Sequence, residues 1–297
     1  NSGINEEDEE IRLAALQSLF DSRPERAVKL ALEIIKPNSG SSSRMKEGAI
    51  TLLADHGSRE AVPVLIEIAR NDPDPKLRWK AIMILGTIED DRVIDFLNEV
   101  ATKSQDRDAA LQAVRAIGDH NSPRARAALL QIARSNPDQE LRMQAIRRLG
   151  DEGDDATADE LLKLFEAEKD IEVRRAIISA LSDMDSPRAQ ARIIELARTS
   201  NDKEIRRKAI DAIGDREDEK AVEALIQIYD SERDEELKED IIEALGDTNH
   251  KRALRKLMEI VKSSASANLK KRAISALGDS DDPEASKFLE DLLKKND

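Results

Sequence analysis

The chain has 297 residues, with 48 Lys and Arg against 62 Asp and Glu, a net charge of −14 and no cysteine. Without cysteine there is no disulfide framework, thiol nucleophile or zinc ribbon, and no apolar run approaches the roughly 18 residues of a membrane span. The acidic balance also argues against nucleic-acid binding, because phosphate contacts need clustered Lys and Arg.

One sequence phrase recurs along the chain. It consists of an aliphatic residue followed by Arg or Lys, then Ala-Ile, then Leu-Gly-Asp, as in the stretch from Leu141 to Asp151. We take the Gly of this phrase as the anchor of each copy. In chain order the anchor positions hold Phe20, Ala54, Gly86, Gly118, Gly150, Ser182, Gly214, Gly246 and Gly278. The first step is 34 residues and the next seven are 32, so the chain is predicted to contain nine copies of one structural unit.

Each copy is predicted to form two helices. The first carries apolar residues nine, five, four and one positions before its anchor, which make one helical stripe. Gly at the anchor suits the left-handed conformation that commonly follows a helix. A polar turn follows, often with Pro five residues after the anchor, at Pro123, Pro187 and Pro283. The second helix has apolar positions 7, 11, 14 and 15 residues after the anchor, as in Ala125, Leu129, Ile132 and Ala133.

Two ends and one loop depart from this pattern. The first copy opens with the acidic residues 6–10, which we expect to form a polar cap on the first helix. Residues 37–43, in the 34-residue step, have the composition of a flexible surface loop, with a hinge as the alternative. The chain starts on a first-type helix and ends on a second-type helix, near Pro283 to Lys294. Either the repeat register is permuted or repeats have been cut away at the ends.

Short helix pairs bury their apolar faces only by stacking on neighbours. The sequence therefore predicts an all-α, right-handed α-solenoid of about nine stacked helix pairs with a 32-residue period, forming a single domain over residues 1–297. The phrase resembles the HEAT repeat in its short form, which occurs in HEAT-like proteins related to phycobilin lyases. The resemblance implies that the Arg-bearing helix lines the concave side, and it says little about function.

Three recurring polar positions are interpreted as structural. Asp or Ser twelve before the anchor, from Asp8 to Ser266, is predicted to cap the first helix. Arg or Lys eight before the anchor is predicted to reach these caps, with a row of anion sites as the alternative. Asp one after the anchor is interpreted as a turn residue and not as a cation site. The three histidines, His56, His120 and His250, are predicted to be solvated turn residues, and no metal or other cofactor is expected.

The face of the first helices opposite the core stripe should be polar, and in copies three to five it is not. The positions seven and three before the anchor share this face because they are four residues apart. They carry apolar residues beside a row of arginines, and we predict that they form a partner-binding site: Trp79, Met83, Leu111, Arg115, Met143, Arg147, Arg175 and Arg207. Trp and Arg are enriched among residues that dominate binding energy.

The predicted function is a non-catalytic protein-binding scaffold, in which the concave face of copies three to seven holds an acidic and apolar segment of a partner protein or peptide. Nucleic acid and membrane insertion are not expected. A spacer or self-assembly arm of a larger protein is the alternative. A HEAT-like lyase or DNA glycosylase is disfavoured, because the candidate acids Asp211 and Glu243 lie four and five copies from Trp79. No signal peptide is visible in the sequence, and the compartment and oligomeric state stay open.

Overall fold

The computed structural model describes residues 6–36, 38–56, 59–151, 153–216, 218–248 and 250–294. Over these residues the chain forms eighteen α-helices and one short 3-10 helix, Arg59–Ala61, without a strand. The first helices of the pairs are α1 Glu6–Ser22, α3 Ser43–Asp55, α5 Pro75–Leu85, α7 Arg107–Gly118, α9 Gln139–Asp151, α11 Ile171–Asp183, α13 Lys203–Gly214, α15 Glu235–Asp247 and α17 Ala267–Gly278. The second helices are α2 Pro24–Ile35, α4 Val62–Asn71, α6 Asp91–Lys103, α8 Pro123–Ser135, α10 Asp155–Ala167, α12 Pro187–Thr199, α14 Glu219–Ser231, α16 Lys251–Lys262 and α18 Pro283–Lys294.

The contacts divide the chain into two compact units, Asn1–Leu149 and Gly150–Asp297. In the first unit, α1, α3, α5 and α7 pack against one another in that order, and α4, α6 and α8 form the parallel row. In the second unit, α11, α13, α15 and α17 form one row and α10, α12, α14, α16 and α18 form the other. This is the stacked helix-pair arrangement of an α-solenoid, which confirms the predicted fold class and the nine pairs within the described residues.

The predicted core stripe is buried. In α9 the four stripe residues Leu141, Ala145, Ile146 and Leu149 are all buried, and in α8 so are Ala125, Leu129, Ile132 and Ala133. Small and branched apolar side chains thus fill the space between packed helices, and this burial is the main source of stability in such arrays.

No anchor glycine adopts a left-handed conformation, so that prediction was wrong; five of the six pack closely against a neighbour, and Gly278 meets open space. Gly86 ends α5 with a φ of −58°, and the one described glycine with positive φ is Gly40, in the loop after α2. A Cβ built on Gly214 lies 2.8 Å from the Cβ of Ala244, on the next first helix. The slot is small because neighbouring first helices approach each other there.

Caps start the first helices in eight of the nine pairs. Asp106 accepts hydrogen bonds from the backbone N–H groups of Asp108 and Ala109, both at 3.1 Å, and Asp138 accepts from Glu140 at 2.8 Å. The same role belongs to Ser42, Asp74, Asp170, Asp202, Asp234 and Ser266. The exception is Asp8, which lies inside α1, so its predicted capping role was wrong.

The acidic residues near the start of α1, predicted to form a polar cap, also contact the neighbouring first helix. Glu9 is buried and accepts a hydrogen bond from the Ser42 hydroxyl at 2.5 Å, and Glu10 forms an ion pair with Arg44 at 2.5 Å. These contacts tie α1 to α3. The loop that follows α2 is exposed from Asn38 to Gly40, which agrees with the surface-loop interpretation, while Pro37 lies outside the described residues.

Three of the basic residues eight before the anchor have structural partners in an adjoining hinge. Arg78 and Arg142 donate to backbone carbonyls of the preceding hinge, at Asp72 (2.8 Å) and Asn136 (3.1 Å). Lys46 forms an ion pair with Asp72 at 3.3 Å, with both side chains nearly inaccessible, 9% and 1% exposed. These three basic side chains thus fasten first helices to an adjoining hinge.

One histidine was predicted wrongly. His120 is only 8% exposed, its Nε2 atom has no partner among the described residues, and burial lowers its pKa. His56 is exposed and stacks on the Phe20 ring at 4.4 Å, and His250 caps α16 by accepting from the Arg252 N–H at 3.3 Å. Of the three histidines in turns, one is thus exposed, one is buried and one caps a helix.

Candidate functional site

A large cavity lies between α3 and α5 in the first unit. Its volume is about 920 Å³. The residues that line it come from the ends and outer faces of these two helices: Glu47, Thr51, Ala54, Asp55, Pro75, Lys76, Trp79, Lys80, Met83, Ile84 and Thr87. Cavities of this size, mostly apolar with a few polar groups, are typical of binding sites.

Trp79 and Met83 form the apolar wall of this cavity on α5. They lie four residues apart on the helix face opposite the buried side chains Leu77, Ala81 and Leu85. Trp79 is 50% exposed and Met83 is 40% exposed. The pattern that buries one stripe of α5 thus leaves these two large side chains accessible, as the sequence predicts.

The apolar residues of the next two first helices are more covered. Leu111 of α7 and Met143 of α9 are half-buried, so the accessible apolar surface is concentrated on α5. Arg115 of α7 is exposed and forms no ion pair with the described part of the chain. Arg147 of α9 is exposed and lies 3.4 Å from Glu140. These two guanidinium groups face solvent on the same helix positions as Met83.

Arg175 and Arg207 belong to the second unit and have acidic neighbours of their own. Arg175 lies 3.4 Å from Glu172 on the same helix. Arg207 pairs with Asp240 of α15 at 2.8 Å and with Glu204 at 2.9 Å, and the hydrogen bond that it donates to Asp240 is the largest cause that raises its pKa. The charge of Arg207 is therefore largely neutralised within the chain.

The recurring Asp one after the anchor has a partner within the chain in at least one copy. Among the described residues no group of three or more His, Cys, Asp or Glu side chains is placed to hold a metal ion. Asp119 instead pairs with Arg148 at 3.0 Å. Burial raises the pKa of Asp183, and the charge of Asp151 adds to the effect. The two acids named for a catalytic alternative, Asp211 and Glu243, also lie in the second unit.

No described helix has the length and apolar character that crossing a membrane requires. Sequence reasoning located Trp79 and Met83 but missed the opposite wall of the cavity on α3, formed by Glu47, Thr51 and Asp55. Their residue types are those of an ordinary solvated helix face. Only the packing of α3 beside α5 brings them to the Trp79 side chain.

Comparisons with known proteins agree with this architecture. A family model described as HEAT repeats matches residues 38–112, 99–182, 158–246 and 222–297. Yeast importin-β (Kap95p) is 12% identical, with a TM-score of 0.55, over 95% of this chain and 45% of that chain. This chain therefore spans a little under half the length of importin-β, and the likeness is one of fold.

Two smaller solved structures match over most of their length. Human deoxyhypusine hydroxylase is 18% identical over 88% of this chain and 98% of that chain, with a TM-score of 0.38. The CpcE–CpcF phycocyanin lyase of Nostoc is 18% identical over 84% of this chain and 92% of that chain, with a TM-score of 0.37. No curated protein sequence matches the chain. From the repeat matches, which together extend from residue 38 to the last residue, the chain belongs to the HEAT-repeat family.

Proposed function

We propose that the chain is a non-catalytic protein-binding scaffold whose docking surface lies on the first helices α3, α5, α7 and α9. The observation that carries the proposal is the exposure of Trp79 and Met83 beside a cavity of about 920 Å³. Exposed Trp is rare on solvated surfaces and frequent in residues that anchor interfaces, and contiguous apolar patches rimmed by charge mark interaction sites.

The charge of the helices beside Trp79 and Met83 supports a partner that carries acidic groups next to its apolar residues. Between residues 107 and 148 the chain has eight Arg against four acidic residues, within a molecule of net charge −14. Arg115 and Arg147 face solvent within this segment, where they would steer an acidic segment toward the surface. Arg207 contributes less to the proposal because it already pairs with Asp240 and Glu204, whereas Arg147 and Arg175 each lie 3.4 Å from a single glutamate.

The test is partner capture from the native source with the full chain as bait. We expect a partner that wild type retains and the variant Trp79→Ala/Arg115→Glu/Arg147→Glu loses. Trp79 and the two arginines are exposed, so the variant should keep the wild-type melting temperature. A matched control, Leu30→Ala/Arg26→Glu/Lys29→Glu, changes one apolar and two basic exposed residues on α2.

The control variant should capture the same partner as wild type. Equal recovery by all three proteins, or loss in the α2 control alone, contradicts the assignment of the docking surface to α5, α7 and α9. The spacer or self-assembly alternative stays a prediction, and the end helix α18, where Leu293 is 81% exposed, is the place to look for it.

A further inference from the structure

His120, in the turn between α7 and α8, fills a buried position where two helix pairs meet. It stands two residues after its anchor, and in other copies that position holds Ile88, Met184 and Thr248, which are buried as His120 is. Ile88 and Met184 are apolar, and Thr248 satisfies its hydroxyl by donating to a backbone carbonyl at 2.8 Å. Among these four side chains, His120 is the one that can take up a proton near neutral pH.

The environment of His120 satisfies only one nitrogen of its ring. The ring is hydrogen-bonded to the backbone of Leu85, at the end of α5. The Nε2 atom is buried and has no partner among the described residues. A neutral ring with its proton on Nδ1 fits this position, because Nε2 then carries no proton that needs an acceptor. A protonated ring would bury both a charge and an unpaired N–H group, so the position selects the neutral form.

A cavity of about 420 Å³ with several acidic residues lies beside the ring. It is lined by Arg59, Glu89, Asp90, Asp91, Ile94, His120 and Ser122. Asp90 pairs with Arg92 at 2.6 Å, and Asp91 lies 3.7 Å from Arg124. Glu89 is exposed, and it is the one carboxylate of the lining whose charge acts on His120. The cavity therefore offers room and an acidic partner to a ring that leaves its buried position.

The charges near His120 oppose the effect of its burial. Burial is the largest influence and lowers the pKa of His120, whereas the carboxylates of Glu89 and Asp119 raise it. Asp119 is already paired with Arg148 at 3.0 Å. The buried position thus favours the neutral ring, and the cavity beside it favours the charged ring. Such a pair of environments for one titratable group is the requirement for a two-state switch.

We propose that the junction of α5 and α7 is an acid-sensitive switch, in which protonated His120 leaves its buried position and turns into the cavity toward Glu89. At neutral pH the uncharged ring fills the space between the two helices. In acid the charged ring gains the Glu89 carboxylate and water, and the vacated position lets α5 and α7 separate more readily. These helices carry Trp79 and Arg115, so the switch acts on the proposed docking surface, but it does not depend on a partner.

Stability measured against pH tests the buried neutral ring. Because burial lowers the pKa of His120 in the folded chain, its stabilisation is complete above about pH 6.5 and is lost as the pH falls toward the folded pKa. His120→Met supplies the residue that the chain itself uses at Met184. We expect the urea midpoint of wild type to fall more than that of His120→Met between about pH 7.5 and 5.5. The control His56→Phe removes an exposed histidine, keeps a ring on Phe20 and should retain the wild-type slope.

Hydrogen exchange measured by mass spectrometry at the two pH values locates the opening. After correction for intrinsic exchange, protection in α5 and α7 of wild type should fall by up to about tenfold at pH 5.5, one unit below the pKa of a solvated histidine. His120→Met should keep its protection. Glu89→Gln removes the carboxylate that receives the charged ring, so it should move the loss of protection to lower pH. Asp91→Asn is the control, because that carboxylate already faces Arg124, and it should move the loss less.

Three outcomes overturn the inference. Equal pH slopes of wild type and His120→Met would show that His120 does not titrate with opening. A loss of protection spread evenly over α1 to α8 would indicate general acid destabilisation. An identical pH profile in Glu89→Gln and wild type would show that the ring does not turn toward that carboxylate. Nitrogen-15 NMR of the three histidines adds a direct check, since a proton on Nε2 of His120 at neutral pH contradicts the tautomer on which the switch rests.

Discussion

The glycine at the anchor of the repeat phrase affects how closely neighbouring first helices can approach each other. At Gly214 an added Cβ would lie 2.8 Å from the Ala244 Cβ and 3.2 Å from its Cα, whereas at Gly278 nothing lies within 4 Å. The two glycines hold the same register position on α13 and α17, two copies apart in one row of the second unit. Substitutions at the two glycines can therefore be compared directly, because the flanking sequences are nearly the same and only the packing around the glycine differs.

We expect Gly214→Ala to destabilise the chain by about 1–3 kcal/mol, because the added methyl group overpacks the α13–α15 contact. Gly278→Ala should be neutral or stabilising by up to about 1 kcal/mol, because Ala favours helix and meets open space. Urea unfolding of both variants measures the difference. Equal effects at the two positions would refute the packing role of the anchor glycine.

Sequence reasoning identified the anchor slot but gave it the wrong physical role. The slot falls at the end of a helix in every copy, where a left-handed glycine is common, and nothing in one sequence distinguishes that from a close contact. His120 was missed for a related reason. It occupies a turn, as His56 does, and only the packing of α7 beside α5 makes it buried.

At the scale of elements, each hinge holds the helix that precedes it and the helix that follows it. Asp72 begins the hinge that follows α4, accepts the Asp74 N–H at 3.0 Å and pairs with Lys46 of α3 at 3.3 Å. The corresponding position in a later hinge holds Asn136, whose side chain accepts the Asp138 N–H at 2.9 Å and donates to the Ala101 carbonyl at 3.2 Å. A charged and a neutral version of one hinge thus occur in the same chain.

We expect Lys46→Met to lower the free energy of unfolding by about 3 kcal/mol, because it leaves the buried Asp72 carboxylate without its cation. The double variant Lys46→Met/Asp72→Asn should recover most of this loss, since Asn at that position keeps the acceptor for the Asp74 N–H and carries no charge. Chemical denaturation of the two variants gives both numbers. A double variant as unstable as the single would show that the charge is not the cause.

Elements were the most predictable level of the structure. The apolar stripe, the caps from Ser42 onward and the prolines that open α8, α12 and α18 all follow from local residue patterns. The candidate site was predictable on one wall only. Trp79 and Met83 violate the polar pattern of their helix face and therefore stand out, whereas Glu47 and Asp55 obey it and acquire a role only through the neighbouring helix.

At the scale of the whole molecule, each helix pair gains its stability from the pairs next to it. Such arrays behave as chains of nearest-neighbour contacts, so a local loss of stability fades with distance along the sequence. The two rows of helices in each unit, with their ion pairs between adjacent copies, have this form. We therefore expect the unfolding of one helix pair to be coupled mainly to the pairs next to it in the array.

Hydrogen exchange measured by mass spectrometry should show how far along the chain a local loss of stability spreads. We expect Gly214→Ala to reduce amide protection mainly in α11 to α15 and to leave α1 to α5 unchanged, with Gly278→Ala as the control for the substitution itself. Unfolding followed by Trp79 fluorescence, which reports on α5, should likewise be the same in the variant and wild type. Uniform loss of protection along the chain would contradict nearest-neighbour stability.

The anchor register also makes the number of repeats easy to change. Gly214-Asp215 and Gly246-Asp247 are identical junctions 32 residues apart. Removal of residues 215–246 joins Gly214 to Asp247 and recreates the same dipeptide, and the alanine that then faces Gly214 is Ala276 in place of Ala244, both of which already pack on an anchor glycine. A recombination event between two copies of the coding sequence would therefore delete or duplicate a whole helix pair while it keeps the glycine–alanine contact at the junction, so the length of the array can evolve in steps of one complete repeat.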